Sequence, residues 1–199
     1  MTTLDALRRT IQRPLPSAEV AEHCQLCDAP IPAAHRHMLE EHTGDVLCVC
    51  HACRLLFERE AAGRGHYRLI PDNRMRLPAF DTGGLGVPVG LAFFIPQPDG
   101  RVIAHYPSPA GATQWEVDSA AWQAVTRERP EIANLMPAVE AVLVNTTRGA
   151  AEHWIVPIDD CYRLVAVIRR TWRGLSGGSQ VWPAIERFFG DLSERKVHG

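Results

Sequence analysis

Residues 23–57 read HCQLCDAPIPAAHRHMLEEHTGDVLCVCHACRLLF. Five of the chain's six cysteines and five of its nine histidines fall in this stretch. Cys24 and Cys27 form one C-x-x-C pair, and Cys50 and Cys53 form a second. The 22 residues between the pairs slightly exceed the roughly 15–20 of the common zinc-site spacing.

A C-x-x-C turn folds back so that both sulfurs point at one ion. Two such turns supply the four thiolates that a structural Zn²⁺ prefers, in a tetrahedral set that leaves no open position. Cys24, Cys27, Cys50 and Cys53 are therefore the expected metal ligands. Zinc is the first choice. Iron held by four thiolates would fit the same geometry, and the residues do not separate the two.

The residues between the pairs fit this reading. Asp28-Ala-Pro-Ile-Pro32 has turn composition, and His35 to Leu39 alternates like a short strand. Glu41 to Asp45 reads as a turn centred on Gly44, and Val46 to Cys50 as the returning strand. From Ala52, the spacing of Cys53, Leu56 and Phe57 predicts a helix, stopped at Gly63-Arg-Gly65. Knuckle, hairpin and helix together predict a treble-clef module, with a zinc ribbon as the alternative. Cys48 lies two before Cys50, so a strand through both would place them on one face. It is expected to be spare, because Cys50 and Cys53 copy the spacing of the first pair. His35 and His37 share a strand face and are read as partners of the ligands or as surface residues, with direct ligation as the alternative. His23, His42 and His51 are expected in solvent.

A segment of this size buries too little apolar surface to fold alone, and a metal supplies what is missing. The remaining chain can carry a true core, since 46% of the 199 residues are apolar. A net charge of −2 and a pI near 6.5 argue against gripping a nucleic acid backbone. No run of apolar residues is long enough to cross a membrane. The opening Met-Thr-Thr-Leu-Asp-Ala-Leu-Arg-Arg lacks the apolar centre of a secretory signal. Clustered thiols without such a signal predict reduced, metal-bound cysteines in the cytoplasm.

Three regions follow: a flexible arm over 1–19, the four-cysteine module over 20–62, and an α+β domain over 63–199. In the last, Val87 to Ile95 and Arg101 to Tyr106 flank the turn Pro96-Gln-Pro-Asp-Gly100 and predict a hairpin. Ser108 to Ala112 reads as a loop. Asp118 or Ser119 caps a helix that stops before Pro130, and Met136–Val144 and Glu152–Val156 each end in a strand. Tyr162, Leu164, Val165, Ile168 and Trp172 form one helical stripe, capped by Asp159 or Asp160. Val181, Ile185, Phe188, Phe189 and Leu192 form a second. Cys161 is expected inside, and Arg163, Arg169, Arg170 and Arg173 on a solvated face. Gly83-Gly-Leu-Gly86 lacks the spacing of a phosphate loop and reads as a turn.

Nothing in the chain reads as a catalytic motif: there is no G-x-S-x-G, no H-E-x-x-H and no deaminase signature. An enzyme is not expected.

Several strings resemble an uncharacterised, mostly actinobacterial family. They are Cys24-Gln-Leu-Cys27, His35-Arg-His37, Leu47-Cys-Val-Cys-His-Ala-Cys53, Tyr106-Pro-Ser-Pro-Ala-Gly111, Pro157-Ile-Asp-Asp-Cys161-Tyr and Trp172-Arg-Gly-Leu-Ser-Gly-Gly178 with Val181-Trp182. That family is encoded beside the genes of high-affinity uptake [NiFe] hydrogenases. The resemblance implies an accessory or assembly role, with hydrogenase subunits or maturation factors as protein partners. It implies no activity residue by residue.

The expected molecule is thus an α+β protein: an N-terminal treble-clef or ribbon-like metal module packed on a mixed α+β domain. A metal-binding accessory protein for hydrogenase maturation is the leading functional expectation. A rubredoxin-like iron electron carrier and a zinc-ribbon nucleic-acid regulator are the alternatives.

Overall fold

Leu91 to Pro96 and Glu140 to Asn145 carry apolar side chains at nearly every position, so neither face of these strands can be left in water. The computed structural model describes residues 22–57, 66–86, 90–174 and 177–195, and it buries both faces in a mixed α+β arrangement. The predicted arm over 1–19, the helix beyond Phe57 with its Gly63-Arg-Gly65 stop, and Val87-Pro-Val89 lie outside the described residues.

The first sheet has three strands. β1 (Arg36–Glu40) pairs antiparallel with β2 (Val46–Val49) on one side and with β3 (Tyr67–Leu69) on the other. The short helix α1 (His51–Phe57) follows β2 directly. The second sheet is antiparallel throughout. Its strands are β4 (Met75–Arg76), β5 (Leu91–Pro96), β6 (Val102–Ser108), β7 (Gly111–Glu116), β8 (Glu140–Asn145) and β9 (Glu152–Pro157), in spatial order β4-β9-β8-β5-β6-β7.

Strand side chains alternate between faces, and the two faces build two cores. Leu91, Phe93 and Ile95 of β5 lie on one face with Ala141 and Leu143 of β8 and Trp154 and Val156 of β9. Helices α4 (Ile158–Thr171) and α5 (Val181–Arg195) cover them with Leu164, Ile168, Ile185, Phe188 and Leu192. Ala92, Phe94, Val142, Val144 and Ile155 point the other way. There they meet α2 (Ser119–Glu128), the short α3 (Pro130–Ala133) and the segment Leu77–Leu85. The predicted apolar stripe of α5 is buried at every position. Between α4 and α5 the chain turns through Gly177 at φ +90°, where a Cβ would meet Val181 Cγ1 at 2.8 Å.

Four expectations need correction. Ser108–Ala112 is a tight turn into β7 rather than an open loop. Asp159 and Asp160 do not cap α4: Pro157 holds that position, and both carboxylates sit in the first turn, facing His37 and Arg74. Within the predicted α4 stripe Tyr162 is 40% exposed, while Cys161 takes a buried place. Arg163 likewise leaves the solvated face, pairing with Asp160 and lying over the Phe188 ring.

β1 joins the two halves. Its Met38 enters a small core with Cys24, Ile31, Val49 and Cys53, whereas the neighbouring Leu39 enters the larger core under α4. Ile70, just past β3, does the same as Leu39.

Candidate metal centre

Asp28, at φ +61°, follows the first cysteine pair and turns the chain back through the left-handed region. Cys24 N–H donates to Ala29 O (2.8 Å) and Asp28 N–H to Cys24 O (2.8 Å), closing a knuckle. Gln25 ties this knuckle to β2: its N–H donates to Cys48 O at 2.9 Å, and its Oε1 accepts from Cys48 N–H at 2.6 Å. On the other side Cys50 lies between β2 and α1, and Cys53 lies in the first turn of α1. The two turns face each other.

One sulfur from each of Cys24, Cys27, Cys50 and Cys53 lies within 4.8 Å of the other three. Cys27 Sγ and Cys50 Sγ are 3.7 Å apart. Zn–S bonds of about 2.3 Å in a tetrahedron require sulfur–sulfur edges of about 3.8 Å, so this edge is already of metal-site length. All six cysteines are free thiols. Cys24 and Cys53 are buried and Cys27 is exposed, so the group sits at the rim of the small core.

The electrostatics are those of a site waiting for positive charge. Burial pushes the Cys24 thiol up, but the backbone N–H groups of Cys50, Leu26 and Cys27 outweigh it and hold the group down at about 6. Burial and the neighbouring sulfurs push Cys53 the other way, well above the ordinary thiol value. Cys53 N–H also donates to Cys50 Sγ at 3.4 Å. One thiolate forms readily, and each further one is opposed by those already present. A divalent ion removes that opposition, and four closely spaced cysteines could hold one.

Cys48 does not share their face. The chain leaves the strand at Cys50, so the expected common face is lost and Cys48 turns toward His35 and His37. Of the histidines expected in solvent, His23, His42 and His51 are exposed. Sequence reading missed the grouping of Cys48 with the two histidines, because it depends on the β1–β2 register that pairs His37 with Cys48. Glu40, His42 and His66 make a third cluster within 4.8 Å at the exposed hairpin end.

A cleft of about 470 Å³ opens between β1 and the face of the large sheet, lined in part by Leu39, Arg68, His105, Gln114 and Tyr162. His105 stacks on Phe93 with ring centroids 4.7 Å apart, and burial pushes it down to about 4. Gly83–Leu85 forms a single 3₁₀ turn with Leu85 buried, consistent with a plain turn. No described helix is long and apolar enough to cross a membrane.

A protein-family model described as "Family of unknown function (DUF5947)" matches residues 23–196. No curated protein and no solved structure matches the chain.

Proposed function

The chain belongs to this family of unknown function, and we propose that it acts as a metal-binding accessory protein working through protein–protein contact. Cys24, Cys27, Cys50 and Cys53 hold one Zn²⁺ in a closed, structural site. The observation that carries this reading is the convergence of four thiols from two turns to within 4.8 Å. Knuckle, hairpin β1–β2 and helix α1 follow in the order of a treble-clef zinc finger, and the ion keeps that small unit in shape. Leu55 and Leu56 on α1, 51% and 58% exposed, offer apolar area for a protein partner. The sequence resemblance supplies the partner class: subunits or maturation factors of a [NiFe] hydrogenase in the cytoplasm.

Replacing Cys24 and Cys27 by serine is expected to abolish zinc binding at this site and to loosen the hairpin, read by metal analysis and amide exchange. Full zinc content in that variant would sink the assignment. Deleting the gene is expected to lower hydrogenase activity and cofactor content. Unchanged activity removes the hydrogenase role and leaves the zinc site standing.

One observation favours a second reading. Cys27 is exposed, so a sulfur of the cluster reaches solvent, as an electron carrier with iron in the same four thiolates would need. A colourless, zinc-replete protein rules this out, and a thiolate-to-iron absorption band supports it.

A further inference from the structure

His37 and Cys48 are directly paired across β1 and β2, so their side chains leave the hairpin on one face. His35, two residues before His37, joins them there. A nitrogen of each ring and Cys48 Sγ all lie within 4.8 Å of one another. Both rings are held by their Nδ1 atoms. His37 Nδ1 is 2.8 Å from Asp159 Oδ2, and His35 Nδ1 is 3.0 Å from Pro32 O. Nε2 is then the nitrogen that each ring has left to bind with. His35 Nε2 is buried without a hydrogen-bond partner among the described residues, on a side chain only 8% exposed.

A carboxylate or carbonyl on one imidazole nitrogen, which leaves the other for the ion, is how ligating histidines are oriented toward a metal. We propose that His35 Nε2, His37 Nε2 and Cys48 Sγ form a second metal site, distinct from the four-cysteine centre, that takes a zinc-class divalent ion.

Two imidazoles and one thiolate suit an ion of borderline softness. Three protein donors leave the fourth position of the tetrahedron to water or to a donor from outside, unlike the closed four-sulfur site. On binding, Cys48 gives up its proton to solvent and both imidazoles bind neutral; nothing is oxidised. The site lies on the face of β1 that carries Leu39, against the first turn of α4, so its ion would touch both halves of the molecule. This site goes beyond the proposed function and does not depend on it.

The test uses the full chain, stripped of metal and reloaded with Zn²⁺. Native mass spectrometry counts ions per chain, and iodoacetamide labelling with peptide mapping reads each cysteine. The wild type is expected to hold two ions and to shield Cys48. Cys48→Ser and the double variant His35→Gln/His37→Gln are each expected to lose one ion, and the double variant to expose Cys48 while Cys24, Cys27, Cys50 and Cys53 stay shielded. Asp159→Asn should weaken the second ion's affinity by about 10–100-fold. A single ion in the wild type with Cys48 labelled and the four C-x-x-C cysteines shielded, two ions in Cys48→Ser, or equal shielding of Cys48 in wild type and double variant overturns the proposal. If Cys48→Ser does not fold by circular dichroism, the labelling of Cys48 in the other two proteins decides. Labelling of the four C-x-x-C cysteines with Cys48 shielded would instead defeat the structural zinc alone.

Discussion

Asp160 is 3% exposed in its side chain and lies 2.5 Å from Arg74 Nε and 3.0 Å from Arg163 NH2. The carboxylate therefore ties the loop before β4 to the start of α4, where the helix N-terminus also favours negative charge. Removing its charge leaves Arg74 half-buried with Asp72 alone. Asp160→Asn is expected to destabilise the protein by about 3 kcal/mol, measured by urea unfolding, because one partner of a buried ion pair is lost. Loss below a few tenths of that figure would show that water already screens the pair. Residue-level reading from the sequence anticipated that the two C-x-x-C pairs would come together, because each pair is a local signal. It did poorly with Asp159 and Asp160, which looked like caps. Their true partners, His37 and Arg74, are remote in the chain, and no local pattern points across that distance.

Elements with their own local signals were legible. Asp118 accepts from Ala121 N–H at 2.9 Å, as a cap should, and Asp118→Ala is expected to cost about 1 kcal/mol by thermal or urea unfolding. The β5–β6 hairpin was readable because an apolar run meets a proline- and glycine-bearing turn. β7 was not, because Thr113-Gln114-Trp115-Glu116 is a half-exposed edge strand with little apolar alternation. α3 escaped notice because Pro130 looked like a stop, whereas proline at the first helical position also starts a turn. The β1–β2 hairpin was placed correctly, but its register was not readable, and with it went the second cluster of ligand-type side chains.

At the scale of the molecule, two buried histidines contribute to the response to acid. His105 is pushed down to about 4 by burial, and His153, whose ring is tilted against Phe80, is lowered first by the same cause. In the unfolded chain both would take protons near the ordinary value of about 6.5. The unfolded state thus binds more protons between these values. The contribution of the two histidines is expected to be full above about pH 6.5 and to be lost as pH falls toward about 4, read as the part of the slope that histidine variants remove in urea unfolding at stepped pH. Glu41 and Arg68, which line the same cleft as His105, pair with each other at 2.5 Å, so burial dominates. His105→Gln should flatten the slope relative to wild type, and an unchanged slope would refute the assignment. The α+β class was open to sequence reading, since apolar strands and amphipathic helices announce themselves. How the four-cysteine segment seats on the larger sheet was not, since that contact is spread over Leu39, Ile70, His37 and Arg68 one residue at a time.

β1 is a party wall. Met38 furnishes one room and Leu39 the next, and no spare layer stands between them. Wherever the four thiols hold an ion, losing it would slacken the wall from one side and let draughts into the other. Depletion would then register as greasy surface and protease sensitivity far from any sulfur, so that a cell could sort filled copies from empty ones without inspecting the metal.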